Sequence, residues 1–251
     1  MISGSPVFRL HTYLSQIAIS DHHYVSEDSV SPVDPEVRRK IVFYHNDFRT
    51  KVQPTSSNML LMTWHSGAAK KAQAYAEKCI FLKHNDPKER SVPDLDTCGQ
   101  NIFVSSAKKS WFSAINSWYL EHQNFTYGSP VRDFGAVGHY TQMVWATSHR
   151  VGCGVAHCDG GPWRQFYNFI CHYCPGGNIA GKIEFPYKVG EPCGDCPNNC
   201  VNGGLCTNSC PVVDLYSNCD YLAKIPGYCS KGTCKASCEC GNKKIYKNYP
   251  W

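Results

Sequence analysis

Residues 193–210 read CGDCPNNCVNGGLCTNSC, and this stretch decides how the second part of the chain can fold. Five of these residues are cysteine, and only Val201 and Leu205 carry large apolar side chains. A segment with so little apolar surface to bury cannot hold a shape through a hydrophobic core. We therefore expect covalent cross-links to hold it.

Cysteines dominate the sequence on both sides of this stretch. Of the 16 cysteines, six lie before residue 192 and ten lie within residues 193–240. Cytosolic proteins seldom keep so many thiols, so both even-numbered groups favour disulfides formed in an oxidising compartment. Zinc is the alternative, since Cys171-x-x-Cys174 and Cys193-x-x-Cys196 have the spacing of metal ligands. The absence of histidine from residues 188–251 favours disulfides.

Composition excludes several classes of protein. Apolar residues make up 42% and aromatic residues 13% of the 251, which is enough for a real core and excludes a disordered chain. No apolar run reaches the ~18 residues of a membrane span. The net charge of +5 is not gathered into a basic stripe, so nucleic-acid binding is not expected. The length suits one large domain, or one domain with a small module.

The N-terminal segment gives no support for secretion by itself. Residues 1–20 contain no apolar core of signal-peptide length, because Arg9 and His11 interrupt it. We expect residues 1–33 to be a tail that is not docked on the folded domain, and we infer an extracellular location from the cysteines. Asn124-Phe125-Thr126 is a glycosylation sequon, which fits secretion.

Helical signals fill the first half of the chain. Asp34 can cap a helix that begins at Pro35, and apolar residues then recur on one face at spacings of 4, 3 and 4. A second helix is predicted near Ser66, with a stripe of small residues that allows close packing. A third is predicted at Ser110. The residues on the apolar face of the first of these helices are Val37, Ile41, Tyr44 and Phe48.

Strand signals follow later in the chain. Residues 84–97 are predicted to form a loop, and the chain after Gly128 is glycine-rich with strand character. Residues 151–158 alternate by twos, and residues 165–171 are aromatic and branched, so both predict strands. Gly160-Gly161-Pro162 between them predicts a hairpin turn. Helices first and strands later, with no regular alternation, indicate an α+β fold.

Four strings occur in an order that points to one family. They are GHYTQMVWA at 138–146 with VGCG at 151–154, HYCPGGN at 172–178, GEPCGDCP at 190–197, and the cysteine pattern of 210–240. Together they resemble the cysteine-rich secretory protein family, a branch of the CAP superfamily whose members occur in venoms and reproductive tracts. The last string is similar to sea-anemone potassium-channel toxins. The resemblance covers about residues 35–245.

This resemblance implies an architecture and a disulfide map. The CAP domain, residues 34–187, would be a three-layer α-β-α sandwich; a cysteine-rich hinge, 188–209, and a small, mainly helical module, 210–251, would follow. Spacing alone cannot choose a map, because six cysteines allow 15 pairings. The implied pairs are Cys79–Cys158, Cys98–Cys174, Cys153–Cys171, Cys193–Cys200, Cys196–Cys206, Cys210–Cys240, Cys219–Cys234 and Cys229–Cys238.

The resemblance also implies a cleft that holds a divalent metal. Carried over to this sequence, its ligands are His84, Glu121 and His139, and zinc is the metal expected if one binds. No cofactor is required. Gln100 stands where the family usually has glutamate, and its neutral amide weakens metal affinity and removes a candidate base. The alternative is a pair of histidines that are only hydrogen-bonded in a cleft.

Three functions follow from the resemblance. The first is a secreted binding protein, a toxin or a reproductive-tract factor, whose terminal module regulates a potassium, calcium or ryanodine-receptor-type channel. Its candidate contacts are Tyr216, Tyr221, Tyr228, Lys231, Lys235, Lys243, Lys244, Tyr246, Lys247, Tyr249 and Trp251. The alternative is that the lysines form an ordinary solvated surface. The second is sterol or lipid carriage by the CAP domain. The third, a metal-dependent hydrolase working through His84, Glu121 and His139, is not favoured, because no nucleophile beside a base can be named.

Overall fold

A computed structural model describes residues 30–93, 95–216 and 218–246 of the chain. Most of the predicted N-terminal tail and the last candidate contacts, Lys247, Tyr249 and Trp251, lie outside these ranges.

The three helices predicted from the sequence are confirmed. Helix α1 spans Pro35–Arg49, and the Asp34 side chain accepts a hydrogen bond from the backbone N–H of Glu36. Helix α2 spans Ser66–Ala76 and helix α3 spans Trp111–Leu120. Shorter helices follow: α4 (Gly138–Met143), α5 (Cys219–Leu222) and α6 (Lys235–Glu239).

A four-stranded sheet lies at the centre of the CAP domain. Its strands are β1 (Thr63–Trp64), β4 (Gly99–Ser105), β5 (Arg150–Asp159) and β6 (Gln165–Cys174), in the order β1-β5-β6-β4. Strand β1 pairs parallel with β5, and the other neighbours pair antiparallel. The predicted hairpin joins β5 to β6. Two-stranded ribbons complete the described ranges: β2 (Ser91–Val92) with β3 (Asp96–Thr97), and β7 (Cys200–Val201) with β8 (Leu205–Cys206).

Helices cover both faces of the sheet, which gives the expected α-β-α layers. The main core joins α1, α3 and α4 to one face, where Trp111, Trp118 and Phe169 are buried. On the other face α2 packs against Ile102 and Ile170. Gly154 of β5 has no room for a side chain, since a Cβ would lie 2.3 Å from the Cα of Gln73. The small residues on α2 and β5 therefore let the two backbones approach each other directly.

Two elements differ from the sequence prediction. Residues 138–143 form helix α4, although the glycine-rich stretch after Gly128 indicated strand character. Strand β4 was not predicted, because it directly follows the predicted loop and lacks a clear alternation of apolar and polar residues. The backbone N–H groups of His139 and Tyr140, in the first turn of α4, donate to the Glu121 carboxylate at 2.9 and 3.0 Å. This stabilisation comes from a distant residue, which local patterns do not reveal.

Residues 30–33 also depart from the expected undocked tail. The indole N–H of Trp111 donates to the carbonyl oxygen of Val30 at 2.7 Å, and Arg38 donates to those of Pro32 and Val33. The folded domain therefore begins before the boundary proposed at residue 34.

All 16 cysteines are paired in the structure. The pairs coincide with those implied by the resemblance, and no cysteine is left to bind zinc. Three bridges lie in the CAP domain, two in the hinge and three in the terminal module. Bridges of this kind typically add ~2–4 kcal/mol each by restricting the unfolded chain.

Arg49 is a buried cation at the end of α1. Its guanidinium makes five hydrogen bonds to four backbone carbonyl oxygens and takes part in no ion pair among the described residues. The acceptors are Leu60, Met143, Trp145 and Ala146. Burial lowers the pKa of Arg49 to about 9, which leaves it charged at neutral pH. One side chain thus ties α1 to two loops that are far apart in sequence.

The hinge packs on residues 56–61 of the CAP domain. The Leu61 N–H donates to the Cys206 carbonyl, and the Cys206 N–H donates to the Met59 carbonyl, both at 2.8 Å. Ile245 of the terminal module packs into the same small cluster as Leu60 and Cys206. The covalently stapled part of the chain is therefore bound to the CAP domain by backbone pairing and by apolar contact.

Replacement of Arg49 by methionine should lower the free energy of unfolding by about 3–5 kcal/mol. The carbonyl oxygens of Leu60 and Met143 lose their donors, and those of Trp145 and Ala146 keep only a backbone donor. Urea denaturation with the disulfides intact measures this loss. The control is Arg39→Met, which removes an exposed pair with Glu36 and should change stability by less than about 0.5 kcal/mol. Equal effects of the two substitutions would contradict the role assigned to Arg49.

Candidate functional site

The predicted cleft residues gather at the start of the edge strand β4. Gln100 is the second residue of that strand and lies opposite His172 of β6. His84 reaches this strand from the preceding loop. Glu121 and His139 arrive from the segment after α3 and from the first turn of α4. Two hydrogen-bonded groups result, one around each candidate histidine.

The first group is a chain of three polar side chains. Nδ1 of His84 lies 2.7 Å from Oε1 of Gln100, and Nε2 of Gln100 lies 3.1 Å from Nε2 of His172. His172 is completely buried and Gln100 is 8% exposed, whereas His84 reaches solvent. Nδ1 of His172 is buried and has no hydrogen-bond partner. Gln100 therefore forms hydrogen bonds with a solvent-accessible imidazole and with a buried one.

The second group is centred on Glu121. Its Oε1 lies 2.6 Å from Nδ1 of His139, while Oε2 accepts from the two backbone N–H groups at the start of α4. Asn101 holds the same helix from another side by donating to the carbonyl oxygen of His139 at 3.0 Å. Glu121 thus orients the imidazole of His139 and stabilises the N-terminus of the helix that carries it.

Burial lowers the pKa of both histidines in the first group. Partial burial is the largest cause that lowers the pKa of His84, and the hydrogen bond to Oε1 of Gln100 opposes this effect. The neighbouring Arg90 and His139 lower it further. Complete desolvation lowers the pKa of His172 to about 3.

The two candidate histidines share a ring arrangement that is typical of metal ligands. Both have Nδ1 engaged by a side-chain oxygen, and among the described residues Nε2 of neither ring has a hydrogen bond. Metal-binding histidines typically show this arrangement, in which a second group orients the ring through its other nitrogen. His84 and His139 could therefore supply two ligands, with Gln100 and Glu121 behind them.

A ligand set of three is not assembled in this geometry. In the described ranges, the one group of three histidine, cysteine or acidic ligand atoms within 4.8 Å of one another is Cys193, Cys196 and Cys206, whose sulfurs are in disulfides. Glu121 already has three hydrogen-bond partners, so a role as metal ligand or general base would compete with the bonds that hold the His139 ring and the start of α4.

The predicted glycosylation site is accessible. Asn124 ends a 3-10 helix at residues 121–124 and is exposed at the surface. Attachment of a glycan there stays a prediction.

The terminal module presents apolar side chains to solvent. Leu215, Tyr216 and Tyr221 are 59%, 52% and 68% exposed. The bridges Cys219–Cys234 and Cys229–Cys238 fix the chain around them. Nζ of Lys231 lies 4.7 Å from the centre of the Tyr228 ring, which places a cation on an aromatic face. Aromatic and basic groups thus share a covalently constrained surface.

The contacts of three structurally important residues could not be predicted from the sequence. His172 and Asn101 lie in strands whose register decides what they face, and Arg49 resembles any basic residue in the last turn of a helix. The pairing of Gln100 with His172 could be found only after β4 and β6 had been aligned.

No helix in the described part of the chain is both long and apolar enough to cross a membrane.

Comparison with known proteins agrees with this architecture. Residues 42–173 match the CAP model, described as the cysteine-rich secretory protein family, and residues 193–246 match the Crisp model. Human cysteine-rich secretory protein 3 is 44% identical over 212 residues, which cover 82% of this chain and 84% of the relative. Human cysteine-rich secretory protein 2 is 45% identical over 213 residues, which cover 83% and 85%.

Solved structures share the fold of the CAP domain. The crystal structure of NaASP2 with Zn²⁺ is 30% identical with a TM-score of 0.59, and the match covers 72% of this chain and 98% of that one. The structure of BmVAL-1 is 28% identical with a TM-score of 0.58 and the same coverage. The two family models and the identity to the human relatives show that the chain belongs to the cysteine-rich secretory protein family.

Proposed function

We propose that this chain is a secreted, non-enzymatic protein that binds an ion channel through its terminal module and regulates or blocks it. The observation that carries the proposal is the exposed apolar and aromatic surface around Tyr216 and Tyr221 on a frame held by three disulfides. Potassium, calcium and ryanodine-receptor-type channels are the partner classes considered. The CAP domain serves as the platform that carries the terminal module.

Rigidity supports this proposal. Aromatic side chains on a constrained frame lose little conformational freedom when they bind, so more of the contact energy appears as affinity. The described part of the module, residues 210–246, contains five lysines and three acidic residues, a net charge of 5 − 3 = +2. A channel mouth lined with carboxylates would attract such a surface.

Secretion and the lack of enzyme activity have separate support. Eight disulfides are typical of proteins that fold in an oxidising compartment. In the cleft, Glu121 is the carboxylate closest to His139, and it is occupied by three hydrogen bonds. No described nucleophile lies beside a free base there, which argues against hydrolysis.

We also propose that the cleft binds zinc through His84 and His139. The supporting observation is that both rings have Nδ1 engaged and Nε2 without a hydrogen bond among the described residues. The similar NaASP2 has a crystal structure with Zn²⁺. The ion would supply a fixed positive charge at the cleft. Gln100 and Glu121 would orient the two imidazole rings that bind it.

Sterol carriage stays a prediction. The apolar groove beside Trp64, lined also by Val33 and Ala69, has a volume of about 230 Å³. Small-molecule sites usually exceed ~300 Å³, so the volume of this groove does not specifically support sterol binding.

The double substitution Tyr216→Ala/Tyr221→Ala in the full chain should weaken block of a responsive channel at least about tenfold, because exposed aromatic anchors often carry 1 kcal/mol or more each. Patch-clamp recording over the three channel classes finds a responsive member and then measures the concentration dependence. The matched control is Phe43→Ala, which removes a comparably exposed ring from α1 of the CAP domain. If Phe43→Ala weakens block and the double variant does not, the terminal module is not the contact.

Zinc affinity should fall between pH 7 and pH 5.5, because protonation of the histidine ligands competes with the metal. Burial lowers the pKa of His84, which moves its share of this competition to lower pH. Titration calorimetry with zinc measures the affinity at each pH. His84→Gln should abolish binding, whereas His157→Gln, at an exposed histidine of β5, should leave it unchanged. An affinity that is constant over this pH range would contradict the proposed ligands.

A further inference from the structure

Gln100 is placed between two imidazoles that cannot touch each other. Its Oε1 faces Nδ1 of His84 and its Nε2 faces Nε2 of His172, at 2.7 and 3.1 Å. Gln100 and His172 are direct partners across β4 and β6, so the sheet fixes their separation.

The chemistry of a primary amide restricts what the two rings can do. An amide oxygen only accepts hydrogen bonds and an amide nitrogen only donates them. A neutral imidazole carries its hydrogen on one nitrogen and a lone pair on the other. With Oε1 towards His84, that ring must carry Nδ1–H, and His172 must accept at Nε2 and carry Nδ1–H. With the amide reversed, both rings must carry Nε2–H.

We propose that Gln100 couples the tautomers of His84 and His172, which makes the buried His172 a positioning residue for the nitrogen that His84 presents to the cleft. The consequence for metal binding rests on the zinc site proposed above, whereas the coupling itself does not. A lone pair on Nε2 of His84 is available only in the first of the two arrangements.

The structure also indicates which way His172 acts on the metal. In the arrangement that frees Nε2 of His84, the hydrogen on Nδ1 of His172 is buried without an acceptor. A buried N–H without a partner is less well tolerated than a buried acceptor without one. The arrangement that can bind metal is therefore the costlier one, and His172 lowers the affinity of the cleft for zinc.

A glutamate at position 100 would remove the coupling. Both oxygens of a carboxylate accept, so His84 could carry Nδ1–H while His172 carries Nε2–H. That combination is forbidden with Gln100. The substitution Gln100→Glu therefore distinguishes coupling by an amide from simple proximity of three polar groups.

The test is two-dimensional long-range ¹H–¹⁵N NMR of the metal-free full chain at pH 7.5, where the nitrogen shifts report the tautomer of each histidine. In the wild type, the fraction of the Nδ1–H tautomer should be equal at His84 and His172. In Gln100→Glu, His84 should carry Nδ1–H and His172 should carry Nε2–H. A wild-type chain with that mixed combination would overturn the proposal.

A second variant keeps the proposal testable if Gln100→Glu does not fold. In His172→Gln the side-chain amide can donate or accept, so the metal-binding arrangement no longer leaves a buried imidazole N–H without an acceptor. Zinc should therefore bind about three- to tenfold more tightly. An unchanged or weaker affinity would overturn the proposed effect of His172. Zinc added to the wild type should also convert His172 to Nδ1–H without touching it. If zinc leaves Nε2 of His84 unshifted, the zinc site is wrong, while the coupling is judged by the metal-free spectra.

Discussion

The guanidinium of Arg49 holds together the parts of the chain that the rest of the structure depends on. It donates to the carbonyl oxygen of Leu60 through both Nε and Nη2, at 3.1 and 2.7 Å. The neighbouring backbone of Leu61 pairs with Cys206 of the hinge. Residues 56–61 are therefore held on the interior side by the buried Arg49 side chain and on the other side by the disulfide-bonded hinge.

The same side chain also reaches the candidate cleft. Arg49 donates to the carbonyl oxygen of Met143, the last residue of α4, and to that of Trp145 just after it. The first turn of α4 carries His139 and is held by Glu121. Helix α4 is thus fixed at its start by a carboxylate and at its end by a guanidinium. A six-residue helix with no local capping side chain needs both interactions.

Much of the architecture could be predicted, because it depends on local patterns. Asp34 and Pro35 mark the first helix, and the alternation around Cys153 marks a strand. The disulfide pairs came from the resemblance and not from spacing. Helix α4, the role of Arg49 and the pairing of Gln100 with His172 depend on groups that meet only in the folded chain. Sequence periodicity carries no information about such distant contacts.

We infer that the contacts of the hinge hold the CAP domain and the terminal module together as one rigid body. Hydrogen exchange at the amides of Leu61 and Cys206 tests this claim most directly, because these N–H groups form the pairing between the hinge and the CAP domain. We expect both to exchange as slowly as the amide of Phe169 in β6, within about tenfold, through global unfolding. Exchange as fast as that of exposed loop amides, such as Lys108, would show that the module is only tethered.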